Sequence, residues 1–143
     1  MVNKSDSYIL PGIKRIGYVN SKHLPRRVDL TAISGLEVPL LTAMVDVNFF
    51  DEPTCECKYE QSSGGGMETV SLKFTTGRRL PRSPYIALVV TDVMDRSFLI
   101  GSKENPLPVL NATHRIGTPS GDAGGWYYEI THMAIRGLVR CRI

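Results

Sequence analysis

Cysteine is scarce in this chain of 143 residues: Cys55, Cys57 and Cys141 are all there is. An odd count makes a poor disulfide framework, so the fold has to rest on its own core. Long apolar runs are missing as well, and none approaches the ~20 residues of a membrane-spanning helix. No N-terminal stretch has the charged-then-apolar layout of a signal peptide, so a reducing cytosol is the expected place of folding, with no membrane partner. Net charge is small: 17 Lys and Arg against 14 Asp and Glu leave +3. That balance alone does not make the basic face of a nucleic-acid binder. With 42% hydrophobic and 22% charged residues, the composition is that of one globular domain long enough to bury a core.

Signatures of chemistry are missing too. Gly121-Asp122-Ala123-Gly124-Gly125 looks like the Gly-Asp-Ser-Gly-Gly of chymotrypsin-like proteases, but Ala123 stands where the nucleophilic hydroxyl would be. The loop 62–66, Ser-Ser-Gly-Gly-Gly, lacks the Lys-Ser/Thr of a phosphate cradle and leads into a strand pattern. Cys55 and Cys57, with Cys141 and His114 or His132, make a zinc set on paper. Inward cysteines on an alternating strand are more often small core residues. Asp92 and Asp95 read as turn residues rather than calcium ligands. His23, His114 and His132 nominate no nucleophile–base pair. No catalytic residue, cofactor or metal ligand is assigned, and no enzyme activity is expected.

What the sequence has in quantity is alternation. Residues 85–101 place two β-branched-rich runs around Asp-Val-Met-Asp-Arg, the pattern of a hairpin. Its first run is apolar at both parities, which marks a central strand buried on both faces. In 54–61, Cys55, Cys57 and Tyr59 alternate with Glu56, Lys58 and Glu60; in 67–76, Val70, Leu72 and Phe74 alternate with Thr69, Ser71 and Lys73. These two runs around the glycine loop predict a second hairpin. One strand is expected over 40–50 with Leu41, Ala43, Val45, Val47 and Phe49 inward, a short one over 28–33, and one over 109–116. Residues 126–133 predict another strand, with 134–143 continuing it. The expected fold is all-β, a single-domain antiparallel sandwich or barrel with little helix. Pro11 removes a ladder donor, so residues 1–24 are expected to form an N-terminal arm or edge segment, with 25–143 as the β-domain.

Charge is unevenly spread. Residues 1–35 hold Lys4, Lys14, Arg15, Lys22, Arg26 and Arg27 against two acids, whereas 36–60 hold six acids against Lys58. Opposite regions on one body suit head-to-tail association, or are simply two solvated surfaces. Arg78, Arg79 and Arg82 form one basic cluster. Arg136, Arg140 and Arg142 share a parity and form a basic stripe. Such a stripe lies against DNA phosphates if it lines a lumen, and otherwise serves as a solvated or inter-subunit face.

Residues 89–102, Val-Val-Thr-Asp-Val-Met-Asp-Arg-Ser-Phe-Leu-Ile-Gly-Ser, with Glu104 to Pro108 and the run 12–19, Gly-Ile-Lys-Arg-Ile-Gly-Tyr-Val, resemble small β-rich virion structural proteins of tailed bacteriophages and prophages of gut anaerobes. The resemblance implies a neck or tail role (head–tail connector, tail terminator or tube-like) in a ring with itself and contacts with neighbouring virion proteins. It implies assembly in the host cytoplasm. On that reading Ile9, Ile13, Ile16, Tyr18, Arg78 and Arg79 are subunit-interface residues. The alternative is a ligand- or glycan-binding β-domain with Trp126, Tyr127 and Tyr128 as its floor.

Overall fold

The computed structural model describes residues 7–9, 12–25, 34–40, 44–62, 65–103, 107–117, 124–134 and 137–142. The expected strand over 28–33, the tip of the glycine loop 117–125 and Arg136 lie outside them. Among the described residues, eleven strands follow in chain order: β1 (Ser7–Ile9), β2 (Ile13–Asn20), β3 (Val38–Pro39), β4 (Val45–Val47), β5 (Phe49–Ser62), β6 (Gly65–Thr76), β7 (Ile86–Asp92), β8 (Ser97–Ile100), β9 (Val109–Arg115), β10 (Gly125–Ala134) and β11 (Val139–Arg142). Among the described residues the only helix is a single 3-10 turn, Ser21–His23. The protein is all-β, as the alternation requires.

Two sheets stack. One has the order β1-β5-β6-β10-β9, the other β3-β11-β8-β7-β2-β4. Between them lies the main core. Cys55, Val70, Leu72, Phe74, Tyr128 and Ile130 come from the first sheet, and Ile16, Leu88, Val90, Phe98 and Ile100 from the second. Period 2 explains the selection, since alternate residues of each strand face the opposing sheet.

The six-stranded sheet has a second apolar face. Val19, Ala87, Val89, Leu99, Val139, Cys141 and, from β3, Val38 turn away from the core and pack with Leu24, Leu40 and Met44, from the chain between β2 and β4. This third layer explains why every residue of β7 is buried. Gly17 belongs to the same packing: a Cβ there would meet Met44 Sδ at 2.6 Å, so the missing side chain makes room for the covering methionine.

Both predicted hairpins form. β7 pairs with β8, and β5 with β6, in antiparallel register. Three expectations change. Residues 13–20 are not an arm. β2 sits inside its sheet between β7 and β4, with Ile16 fully buried, because the apolar side chains of β2 complete both faces of that sheet. The expected strand over 40–50 is broken at Asn48, between β4 and β5. Those two strands lie in different sheets, and on β4 Val47 is buried in the main core while Val45 is exposed. Finally, 134–143 does not continue β10. The chain crosses to the other sheet, where β11 pairs with β8. The crossover passes so close to β6 that a Cβ on Gly137 would meet Val70 Cγ2 at 2.5 Å, and the Gly137 N–H donates to Glu68 Oε1 at 2.7 Å.

The long β5–β6 ribbon outruns the opposing sheet. Tyr59 has inward parity yet is 39% exposed, and its ring lies across Gly66, the space a Cβ would fill. An aromatic laid over a strand glycine restores packing the glycine lacks. Gly101, after β8, is a different case. Its φ is +134°, and a Cβ would sit 2.9 Å from Ala87 Cβ. Gly101→Ala is expected to cost about 2 kcal/mol, since strain and overpacking add. Urea unfolding checks this through a lowered midpoint at unchanged slope.

Candidate functional site

The most developed surface constellation is aromatic and cationic. On β10, Trp126 faces the same side as Tyr128 and Ile130; its neighbour on β9 is His114, and on β6 it is Thr76. His114 stacks on the indole with ring centroids 4.4 Å apart and planes 7° from parallel. From beyond the end of β6, Arg79 places its guanidinium 4.9 Å from the indole centroid. His114 comes from the β9 side of β10 and Arg79 from the β6 side, so the indole has both an imidazole and a cation within contact range. On the opposite face of β10, Arg115 lies 5.0 Å from the Tyr127 ring centre.

The three aromatic residues of the glycan alternative differ in their surroundings. Trp126 is half-buried and already carries a stacked imidazole and a nearby guanidinium. Tyr128 is buried, stacked on Phe74 at 5.5 Å, and its hydroxyl accepts the Leu80 N–H at 2.8 Å. That bond ties the basic turn after β6 to the core.

The residues expected at a subunit interface divide. Ile16 lies wholly within the core, so it has no surface to give a neighbour. Ile13 and Tyr18 are half-buried against the same core. The backbone of Ile9 pairs with Glu56 of β5. Arg78 and Arg79 are exposed. On β11 Arg140 and Arg142 alternate outward with buried Val139 and Cys141. Arg140 reaches Glu37 at 3.5 Å and lies 5.7 Å from the Phe98 ring centre, so half of the described stripe is already engaged.

The acidic and basic segments also meet within the chain. Arg15 on β2 grips Asp46 on β4 through Nε at 2.6 Å and Nη2 at 3.3 Å. That hydrogen bond lowers the Asp46 pKa and raises that of Arg15. The pair borders a shallow groove of about 440 Å³ lined by Lys14, Arg15, Asp46, Val47, Asn48 and Phe49. Lys14 is itself paired with Asp95. The groove thus presents neutralised charges and no nucleophile beside a base.

Asp92, the last residue of β7, is fully buried. Its Oδ1 accepts the N–H groups of Met94 and Arg96, both at 2.9 Å, and its Oδ2 accepts Arg96 Nε at 2.8 Å. Burial raises its pKa, but the Arg96 and Met94 hydrogen bonds and the Arg96 charge outweigh it and hold the carboxyl below its ordinary range. Both oxygens are committed to the turn, so they are not offered to a cation. Asp95 completes the turn with φ +63°, the left-handed residue of a three-residue hairpin loop.

The zinc set does not converge. Cys55 and Cys57 lie between the sheets, whereas Cys141 lies on the far face of the six-stranded sheet. Burial pushes the thiols of Cys55 and Cys141 up to about 12 and that of Cys57 to about 11. Thiolates are the reactive form, so these thiols are expected to resist a disulfide reagent at pH 8 in the folded protein. All three should react at once on denaturation; rapid native labelling would contradict their burial.

The Arg79–Trp126–His114 stack was not legible in the sequence, because three distant residues meet only through the β6–β10–β9 register. No helix among the described residues is long and apolar enough to cross a membrane. No protein-family model, curated protein or solved structure matches the chain significantly.

Proposed function

We propose that the chain is a structural subunit of a tailed-phage virion, a neck or tail protein that assembles into a ring with copies of itself. The observation that carries this reading is the β7–β8 tip. Val93 and Met94 stand 56% and 67% exposed at its end. The turn beneath them is fixed by the Asp92 hydrogen bonds, by the Val93 N–H donating to Gly12 O at 3.1 Å, and by the Lys14–Asp95 pair. A rigid turn that displays two apolar side chains loses little entropy on docking and gains ~25 cal/mol per Å² buried. That is the physics of a contact knob, and it suits a subunit whose work is assembly. On this reading the partners are further copies and neighbouring virion proteins. Exposed Arg78 and Arg142 are available for phosphates if they face a lumen.

The resemblance of residues 89–102 to virion structural proteins bears on the same hairpin and supports the same reading. Val93→Ser with Met94→Ser tests it. The fold is expected to be unchanged, since neither side chain is buried, while self-association falls about tenfold for the lost apolar contact. Assembly by the double variant at wild-type concentrations would remove the tip from the account. Deleting residues 1–20 is not an equivalent test, because it removes β2 from the middle of a sheet.

A further inference from the structure

Among the described residues, β9 is an edge whose outer side no strand pairs. Among the described residues it pairs with β10 alone and forms the border of the five-stranded sheet. Its seven residues, Val-Leu-Asn-Ala-Thr-His-Arg, are all exposed except Leu110, which is half-buried. The opposing sheet does not cover them: even Ala112 and His114, which share Leu110's inward parity, are exposed. Natural edges are blunted by shortness, proline, lysine or a bulge. The other edges here are short, with three residues in β1, two in β3 and three in β4. β9 is longer, contains no proline and carries one charge, Arg115 at its end, and its register with β10 is unbroken. Ile116, just past its end, is 86% exposed.

From this edge we infer that β9 pairs with β9 of a second copy, antiparallel and centred on Ala112, joining two five-stranded sheets into one of ten. Length selects the occupant. Of the described edge strands only β9 itself is long enough to pair β9 along its whole run. The sequence is also compatible with itself. In this register Val109 faces the partner's Arg115, Leu110 the partner's His114, and Asn111 the partner's Thr113. Inward residues meet inward ones, and no like charges stand opposite each other. Two small Ala112 side chains meet at the two-fold axis. The contact is isologous, so it makes pairs, and it stands apart from the head-to-tail contact a ring requires.

Two variants of the full chain test the register by sedimentation equilibrium, with circular dichroism to show that each is folded. Asn111 and Thr113 are exposed on the solvent face, so changing them leaves the core alone. Asn111→Lys with Thr113→Lys places like charges opposite each other twice and is expected to weaken the pair about tenfold. Asn111→Lys with Thr113→Glu places opposite charges in the same positions and is expected to keep or tighten it. Equal association by the two variants overturns the pairing. So does a wild-type chain that stays at 15.8 kDa, or a larger assembly whose mass neither variant changes; that last result would leave the ring reading standing. The reverse failure is equally distinct: pairs that dissociate with the two lysines but never grow beyond two copies support this contact and contradict the ring.

Discussion

Asp92→Ala is expected to cost about 3 kcal/mol of stability and to lower the melting temperature by about 10 °C. The carboxylate is fully buried, and it satisfies two backbone N–H groups and one guanidinium. Removing it leaves Met94 and Arg96 N–H groups without their acceptor and Arg96 without its counter-charge. Each loss falls in the range of a charged hydrogen bond. Asp92→Asn separates the two parts. An amide oxygen still accepts the backbone N–H groups, but the ion pair with Arg96 is gone, so the expected loss is about half. The linkage follows from the depressed pKa. A carboxyl held below its unfolded value contributes fully above that value, near 3.8, and its contribution fades as pH falls through the folded pKa. Asp92 therefore matters for acid unfolding only below about pH 4. Calorimetry on the two variants checks both statements; equal losses would mean that the backbone N–H bonds contribute nothing, and an Asp92→Asn variant without loss would mean that the Arg96 charge contributes nothing. Loosening this turn should also weaken self-association, because it holds Val93 and Met94 in place.

His132 governs a higher window and is expected to produce the steeper pH dependence. It sits on β10, 2% exposed, and among the described residues its Nδ1 has no hydrogen-bond partner. Burial lowers its pKa from 6.5 to about 4. Between those values the unfolded chain binds a proton that the folded chain refuses, so stability falls as pH drops from about 7 to 4. A shift of this size amounts to about 3 kcal/mol, at ~1.4 kcal/mol per pH unit. Below pH 4 the folded protein takes the proton as well and this contribution stops changing. His132→Phe removes the titration and the unpaired nitrogen together. Its stability at pH 7 should stay within about 1 kcal/mol of wild type, and its unfolding midpoint should be nearly flat from pH 7 to 5. A variant that kept the wild-type slope would place the linkage on another group.

The fold was legible wherever period-2 alternation decided it. β7 showed apolar residues at both parities and proved to be covered on both faces. The inward cysteines, with Val70, Leu72 and Phe74, are where alternation put them. The failures share one cause, which is that neighbouring sequence does not report which sheet a strand joins. Pro11 argued locally for an arm, yet β2 is an interior strand because its side chains are needed on both faces. The 40–50 run alternates smoothly, yet the chain changes sheet within it. Tyr59 has the parity of a core residue but lies past the reach of the opposing sheet. Gly137 lies in the crossover, and the need for a glycine there appears only once Val70 is known to lie against it. The same limit hid the cation–aromatic stack. Arg79, Trp126 and His114 are unremarkable singly, and register alone makes them neighbours. The interface residues fared unevenly for a related reason: an apolar residue in an expected arm looks free, whereas Ile16 had a place in the core.

On the proposed function, this protein associates with its own copies. Static light scattering on the native chain, across concentrations from about 1 μM to 1 mM, tests it most directly. The predicted result is a mass that rises above 15.8 kDa and settles at a fixed multiple of it. A mass that stays at that of one chain over the whole range would contradict it.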